Sequence, residues 1–284
     1  MKAEIFDRQV RLFKELTNSS DGTVYQEKIE NSHVVVMGLG GLGSNVAVGL
    51  AQSGVKKITV VDFDIVEPSN INRTVGYSLN SVGIKKTKAL SDYIFSNYPW
   101  CKINVIDARI LSRIDFLKIL KEIEKVDLVV NCIDRPHKAK YFISDICVER
   151  NIPFIKGGYS GYFGGIGPFF IPEISVCQRC FDSYFFSEES NTEKELNNHP
   201  SASSPWITQT LSSLMVRDII GFLSCAYPVV TSHKYLQIDF LNIIFHKIDV
   251  KTKSSCKYGC VSSIAISEFR PPFSKGFVNR LKEG

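Results

Sequence analysis

HVVVMGLGGLG, residues 33–43, is the stretch of sequence that decides the fold. Its first five residues form an apolar run that predicts a buried β-strand. A helix is predicted to begin near Gly41, so its free N–H groups and the glycine-rich turn form a site for the phosphate groups of a nucleotide. Asp62 follows a second predicted strand about twenty residues on, where a carboxylate accepts hydrogen bonds from a ribose. The loop and Asp62 therefore predict a nucleotide-binding βαβ unit.

The residues after Asp62 indicate which nucleotide binds. A glycine fingerprint of this kind is most common in nicotinamide- or flavin-dependent enzymes, which remain an alternative. Asn70, Arg73 and Lys86 follow Asp62 closely, however, and an oxidoreductase has no need of them. An enzyme that attacks the α-phosphate of ATP does need cations there, because negative charge accumulates on that phosphate. A Walker A loop is excluded, since Ser44-Asn45 stands where that motif requires Lys followed by Ser or Thr. ATP is therefore the predicted ligand.

Strands and helices alternate through the first half of the chain. The predicted strands are 33–37, 57–62, 102–107, 126–132 and 153–157, and the predicted helices are 41–53, 83–97, 114–122 and 136–150. This order predicts an α/β fold with a doubly wound, mainly parallel, Rossmann-like sheet. Ligands of such sheets bind beyond the carboxyl ends of the strands, where the residues named above are expected to lie.

The pattern changes after Lys156. Residues 157–161 predict a turn, 162–172 short extended pieces and 206–225 a helix; 235–240 and 243–250 predict an antiparallel hairpin. The polar stretch 188–204, which contains a solvated His199, predicts a mobile surface loop. We therefore expect an N-terminal arm (1–32), one domain (33–260) and a tail (261–284). The domain would have a nucleotide-binding half (33–157) and a substrate- and metal-binding half (158–260).

The composition is typical of a globular cytoplasmic protein. The chain is 44% hydrophobic and 22% charged, so it can bury a core. No apolar run approaches the length of a membrane span, and the N-terminus does not have the pattern of a signal peptide. The net charge of +5 is mild and the basic residues are scattered, so neither a membrane nor a nucleic acid is expected as a partner.

Two close pairs of cysteines, Cys177 with Cys180 and Cys256 with Cys260, predict a metal site. In a cytosolic chain, thiols are reduced or metal-bound, and two such pairs favour a zinc site of four thiolates. A site without an open position would be structural rather than catalytic. The alternative is four unrelated thiols, and the three residues between Cys256 and Cys260 depart from the usual two.

Together these motifs resemble the ThiF/MoeB/HesA adenylyltransferase family, relatives of the ubiquitin-activating enzymes. The resemblance runs from Arg8 to Cys260 and includes three further motifs: Asp7-Arg8-Gln9, Val82-Gly83 with Lys86, and Asn131-Cys132-Ile133-Asp134. It implies an ATP-dependent enzyme that converts the C-terminal carboxylate of a peptide or small protein into an acyl-adenylate. Residues 157–159 and Gly167-Pro168 are most similar to the microcin-type branch, which implies peptide natural-product biosynthesis. A ubiquitin-like sulfur carrier ending in Gly-Gly is the alternative substrate.

The resemblance also implies a role for each site residue. The nucleotide-binding residues would be Gly38, Gly40, Gly41, Gly43, Asp62, Asp64, Asn70, Arg73 and Lys86. Arg73 and Lys86 would also be catalytic, and Asp134 would bind magnesium. Arg8 would reach into the partner's active site in a homodimer. Tyr159 is a candidate contact for the substrate.

Alternatives without catalysis remain for these residues. Arg73, Lys86 and Arg8 could be ordinary surface cations, and Asp134 could cap the helix predicted near Pro136. The whole chain could be a non-catalytic docking protein that has the same fold. No cysteine lies between Cys180 and Cys225, where thioester- or persulfide-forming relatives keep their reactive thiol, so no such covalent step is expected.

Overall fold

The structure is a computed structural model that describes residues 2–171, 175–185, 202–250 and 256. The described strands are β1 (His33–Met37), β2 (Lys57–Asp62), β3 (Lys102–Asp107), β4 (Leu128–Asn131), β5 (Phe154–Ser160), β6 (Phe163–Phe170), β7 (Lys234–Asp239) and β8 (Ile244–Asp249). The described α-helices are α1 (Lys2–Ile5), α2 (Asp7–Thr17), α3 (Thr23–Glu30), α4 (Gly43–Gln52), α5 (Lys86–Asn97), α6 (Arg113–Lys121), α7 (Ala139–Glu149), α8 (Gln178–Phe185) and α9 (Pro205–Ser224). Pro68–Arg73 and Leu79–Ser81 form 3₁₀ turns.

The eight strands form one sheet in the order β3-β2-β1-β4-β5-β6-β7-β8. Strands β1 to β5 pair in parallel, and β6, β7 and β8 continue the sheet in antiparallel fashion. This confirms the predicted doubly wound sheet with its antiparallel extension. The strand order reverses between β1 and β4, and the crevice beyond their carboxyl ends is where such sheets bind ligands.

Helices cover both faces of the sheet, which explains why the central strands are apolar throughout. In β1, Val34 and Val36 face the core beneath α4, α5 and α9, here called the α4 face. Val35 and Met37 face the opposite core beneath α6, α7 and α8, the α7 face. All four side chains are fully buried, so β1 is fixed on both sides and the glycine loop leaves it from a rigid position.

The first thirty-two residues form three short helices and the connections between them. Phe13 of α2 and Ile29 of α3 belong to the core of the α4 face. The side-chain amide of Gln9 donates to the Gln26 side chain at 2.7 Å and to the Ser53 carbonyl at 2.9 Å. The helices of this arm are therefore packed onto the end of α4 and are part of its core.

The predicted turn over residues 157–161 was wrong. Residues up to Ser160 complete β5, and the chain turns at Gly161 and Tyr162 instead. A β-carbon on Gly157 would lie 2.4 Å from the Met215 sulfur of α9. The glycine is thus required by the close approach of α9 to the strand, rather than by a reversal of the chain.

Three predicted helices begin later than expected. The expected starts were 41, 83 and 136, whereas α4, α5 and α7 begin at Gly43, Lys86 and Ala139. Gly83 takes a positive φ of 85°, a conformation outside a right-handed helix. No described helix is long and apolar enough to cross a membrane. His199, Cys260, the tail 261–284 and nearly all of the predicted 188–204 loop lie outside the described residues.

Candidate active site

The glycine loop is held at the junction of β1 and β4. The N–H of Gly38 donates to the carbonyl of Val61 at 2.9 Å, and its φ is +82°. A β-carbon there would lie 2.7 Å from the Cys132 carbonyl oxygen, and one on Gly43 would lie 1.9 Å from the Gly38 carbonyl oxygen. Only glycine fits at either position. The β-carbon position of Gly40, by contrast, has no atom of the described residues within 4 Å, so the described part of the chain leaves space there that a phosphate group can fill.

Asp62 fixes the shape of this loop. One carboxylate oxygen accepts the N–H of Leu39 at 2.5 Å, and the other accepts the N–H of Asp64 at 2.8 Å. The Tyr77 hydroxyl donates to the Leu39 carbonyl at 2.8 Å; burial, with the charges of Asp62 and Asp64, raises the pKa of that hydroxyl. Sequence analysis predicted a ribose contact for Asp62 but missed this bracing of the loop. Asp62 itself is buried, at 8% exposure.

Arg73 lies directly against the loop. Its Cδ is 3.2 Å from the β-carbon position of Gly41, and the Tyr159 hydroxyl is also 3.2 Å from that point. The Arg73 carbonyl accepts hydrogen bonds from Asn45 and from Thr208, both at 3.0 Å. These contacts tie the 3₁₀ turn of Arg73 to α4 and α9.

The guanidinium group of Arg73 is only partly satisfied. One terminal nitrogen donates to the Ser69 carbonyl. Its Nε is buried and has no hydrogen-bond partner in the described part of the chain. A buried donor left without an acceptor costs free energy. Its position beside the loop is what an anion-binding arginine requires.

Lys86 and Asn70 are the other cationic and amide side chains that the sequence predicted for this site. The Lys86 ammonium group lies 2.9 Å from the Asp64 carboxylate, and its side chain is only 10% exposed. Asn70 is buried at 5% exposure, and its side-chain oxygen accepts the N–H of Glu67 at 3.0 Å. Asn70 therefore shapes the turn that carries Arg73, whereas Lys86 presents a charge beside Asp62 and Asp64.

Asp134 lies in the loop after β4, on an exposed stretch. The alternative that it caps a helix near Pro136 was wrong, because α7 begins at Ala139 and its N-cap is Lys138. The Asp134 carboxylate acts electrostatically on Lys156 of β5. It is thus an available carboxylate at the carboxyl edge, the position from which a metal on the phosphate groups could be held.

Lys156 is a candidate site residue that sequence analysis missed. It lies on β5 opposite Asn131 of β4, and burial lowers the pKa of its ammonium group to about 8. The nearby charge of Lys140 lowers this pKa further, while Asp182 and Asp134 raise it. A charged residue inside an otherwise apolar predicted strand was the signal that could have identified it.

Arg8 is exposed on α2. No described contact joins it to the glycine loop, Arg73 or Lys86. Its neighbours Asp7 and Arg11 form an ion pair at 2.9 Å on the same helix. Within a single chain, therefore, the structure brings together the loop, Asp62, Arg73, Lys86 and their neighbours, but it does not bring Arg8 to them.

Three of the four predicted cysteine ligands come together. The sulfur atoms of Cys177, Cys180 and Cys256 all lie within 4.8 Å of one another, and those of Cys177 and Cys256 are 3.7 Å apart. Zn–S bonds of about 2.3 Å in a tetrahedron require sulfur atoms roughly 3.8 Å apart. The cluster therefore has the dimensions of a metal site. Its predicted fourth ligand, Cys260, lies outside the described residues.

The chain matches the family model described as "ThiF family" over residues 6–259. One curated relative, the probable molybdopterin-synthase adenylyltransferase of Porphyra purpurea, is 27% identical over 223 residues. That alignment covers 76% of this chain and 55% of the relative. The chain thus spans about half the length of this curated relative.

Two solved structures have the same fold. Crystalline E. coli MccB with AMPCPP and MccA superposes with a TM-score of 0.80 at 23% sequence identity, covering 89% of this chain and 73% of MccB. The microcin C7 biosynthetic enzyme MccB in complex with N-formylated MccA gives a TM-score of 0.76 at 24% identity, covering 84% and 70%. With nearly its whole described length matched by one family model, the chain belongs to the ThiF family.

Proposed function

We propose that this protein is an ATP-dependent adenylyltransferase that activates a carboxylate. A carboxylate oxygen of the substrate forms a bond to the α-phosphorus of ATP. The bond between that phosphorus and its bridging oxygen breaks, and pyrophosphate leaves with the electron pair. The observation that carries the proposal is Arg73, whose Cδ lies against the glycine loop at Gly41 and whose adjoining Nε is buried and has no partner among the described residues. An anion in the loop would supply the missing acceptor.

The residues around the loop fit a nucleotide. Open space at Gly40 leaves room for phosphate, and the N-terminus of α4 supports an anion with its free N–H groups. Arg73 and Lys86 would then neutralise charge on the phosphate groups, which is the main contribution a protein makes to phosphoryl-type transfer. Asp62, while bracing Leu39 and Asp64, retains lone pairs for the ribose hydroxyls.

Two metals accompany this proposal. Asp134 would hold a magnesium ion on the phosphate groups, because it is an exposed carboxylate in the loop after β4 and magnesium prefers oxygen ligands. Cys177, Cys180, Cys256 and Cys260 would bind structural zinc, a role supported by the sulfur spacing of the first three. Four thiolates leave no open position on zinc, so this metal would hold the fold together and take no part in the reaction.

The substrate we favour is the C-terminus of a peptide, in the biosynthesis of a peptide natural product. The likeness to MccB, a microcin biosynthetic enzyme crystallised with MccA, supports this choice. The curated relative named for molybdopterin synthase supports the alternative, a small sulfur-carrier protein. In either case we propose the Tyr159 hydroxyl, which lies next to Gly41, as a contact for the substrate.

A homodimer is part of the proposal, with Arg8 acting in the partner's site. Arg8, Leu12 and Leu16 recur at intervals of four residues and so share one side of α2. The two leucines are 48% and 47% exposed. Exposed leucines beside an arginine are what an interface between copies would bury.

A measurement of nucleotide binding distinguishes the proposed adenylyltransferase from an oxidoreductase and from a non-catalytic docking protein. Calorimetric titration with AMPCPP and magnesium should give binding that Arg73→Ala weakens by about tenfold or more, since a charge-assisted contact is lost. Arg113→Ala, which removes a surface arginine paired with Glu149, should bind as wild type does. Retention of NADH but not AMPCPP would instead indicate an oxidoreductase, and retention of neither would leave a docking protein.

A further inference from the structure

The charge of Lys156 has no assigned use in the site described above. Lys156 pairs with Asn131, the last residue of β4, so it lies at the carboxyl edge of the sheet, one strand beyond the loop that carries Asp134. Asp134 and Asp182 influence it electrostatically, but within the described residues neither forms a direct ion pair with it. Asp182 is engaged by Lys140 at 2.7 Å. Lys156 is half-buried, and an ammonium group withdrawn from water is costly to keep without a direct counter-charge.

Open space lies beside Lys156 on its own side of β5. Lys156 and Gly158 point to the α7 face, because alternate residues of a strand share a face. Among the described residues, no atom lies within 4 Å of the β-carbon position of Gly158. Gly157 points the other way and has the Met215 sulfur 2.4 Å from its β-carbon position. The strand is thus tightly packed on the α4 face at Gly157, whereas on the α7 face it is buried at Phe154 and open at Gly158.

The charged groups at this edge divide between the two faces of the sheet. Arg73 contacts residues of α4 and α9, and Lys86 begins α5, so both belong to the α4 face. Lys156 and Asp134 belong to the α7 side, where α7 and α8 supply Lys140 and Asp182. The crevice therefore has cations on both sides of the position predicted for the phosphate groups.

In an in-line displacement at phosphorus, groups on the α4 side and groups on the α7 side of the crevice would have different roles. The attacking oxygen and the leaving oxygen must lie on opposite sides of the α-phosphorus. Arg73 and Lys86 on one side would hold the leaving pyrophosphate. The nucleophile would then approach from the side of Lys156, across the open surface at Gly158. This nucleophile is itself an anion and is repelled by the phosphate groups unless a cation offsets the repulsion.

We propose that Lys156 binds the substrate's carboxylate and positions it for attack, with the last residues of the substrate lying over Gly158. This inference rests on the adenylation proposed above. Lys156 gives up no proton in the step; its charge holds the carboxylate until the bond to phosphorus forms. Once the acyl-adenylate exists, that carboxylate charge is gone and the contact weakens.

The first test uses the unmodified protein and a defined probe. Glycylglycine and glycylglycine amide are both used N-acetylated, so that no amine of the probe consumes the acetylating reagent. The acid, which ends in a free carboxylate, is added with and without AMPCPP and magnesium. The rate of Lys156 acetylation by N-hydroxysuccinimidyl acetate is then followed by peptide mass spectrometry. At a probe concentration twice its dissociation constant, Lys156 should react about threefold more slowly. Glycylglycine amide should not protect Lys156, and Lys88, an exposed lysine paired with Asp92, should react at the same rate throughout.

A second test separates this inference from the proposed function. Lys156→Met should bind AMPCPP within about twofold of wild type, whereas Lys86→Met should weaken AMPCPP binding about tenfold. Gly158→Val, which fills the open space, should abolish protection of Lys156 by glycylglycine and leave AMPCPP binding intact.

The inference is overturned if glycylglycine gives no protection, or if its amide protects Lys156 equally well. It is also overturned if Lys156→Met weakens AMPCPP binding as much as Lys86→Met does, because Lys156 would then be a phosphate ligand. Failure of the wild-type protein to bind AMPCPP would instead contradict the proposed function. The protection measured without nucleotide would still report on Lys156.

Discussion

The Tyr159 hydroxyl and the Arg73 side chain converge on one point, the position where a β-carbon on Gly41 would lie 3.2 Å from each. The methyl group of Thr208 is 3.0 Å from the same point. Three side chains from distant parts of the sequence thus contact a single residue of the loop. The absence of a side chain at Gly41 is what lets the 3₁₀ turn, β5 and α9 meet there.

A methyl group at Gly41 should therefore act differently from one at Gly40. Gly41→Ala must push Thr208, Arg73 or Tyr159 aside by a few tenths of an ångström, so it should lower stability as mild overpacking does, by about 1 kcal/mol. Gly40→Ala meets no atom within 4 Å, so its melting temperature should not change, but its methyl group would occupy the space predicted for phosphate. Melting curves and AMPCPP titrations of both variants check this. Wild-type AMPCPP affinity in Gly40→Ala would contradict the assigned phosphate position.

Lys86→Met should lower turnover far more than stability. Its partner Asp64 is 46% exposed, and an ion pair so accessible to water contributes about 1 kcal/mol or less. A cation on the phosphate groups is worth about 10²-fold in rate, as for other preorganised charge-stabilising groups. The control is Lys88→Met, which removes a neighbouring exposed lysine of α5 and should change neither quantity. A rate loss matched by an equal loss of folded protein would show that Lys86 is structural.

His33 should make stability depend on pH. Its ring nitrogens contact the Thr59 hydroxyl, at 2.8 Å, and the Lys125 carbonyl, and burial lowers its pKa below the usual value of 6.5. The unfolded chain therefore binds a proton at a higher pH than the folded chain does. Stability should rise with pH up to about 6.5 and be lost as pH falls below that value. Urea midpoints between pH 5 and 7.5 check this, and His33→Gln should reduce the slope.

Removal of the metal should unfold the region around Cys177. Elemental analysis should find about one zinc per chain, because four thiolates bind one ion. Cys177→Ser should lose that zinc and melt at a lower temperature, whereas Cys225→Ser, on the C-cap of α9, should keep it. A wild-type protein that contains no zinc and is insensitive to chelator would show that these thiols are unrelated.

Much of the fold could be predicted from local patterns in the sequence. The parallel sheet and the glycine loop were predicted from local signals. These signals are the apolar runs at β1 and β2 and the spacing of the glycines that follow β1. Predictions from local sequence were wrong where contacts between distant segments determined the structure. Gly157 looked like a turn residue, but it is glycine because Met215 approaches it from α9.

Only part of the candidate site could be predicted, again because local patterns are readable from the sequence and long-range contacts are not. Asp62, Arg73 and Lys86 belong to short motifs that can be recognised by residue type and spacing. The contact of Arg73 with Thr208 joins segments far apart in sequence, and no spacing rule predicts it. Lys156 was overlooked because a lone lysine has no motif; its charge inside an apolar strand was a signal, but its place opposite Asn131 became known only from the sheet.

The measurement that tests the central claim most directly is exchange of labelled pyrophosphate into ATP. Wild-type protein, Arg73→Ala and the control Arg113→Ala are each incubated with candidate C-terminal peptides and with a carrier ending in Gly-Gly. We predict exchange that depends on one of these substrates and is retained in Arg113→Ala. In Arg73→Ala it should fall by about 10²-fold, as expected when a group that stabilises the transition-state charge is removed. Exchange at the wild-type rate in Arg73→Ala, or a wild-type protein that binds no ATP, would contradict the account.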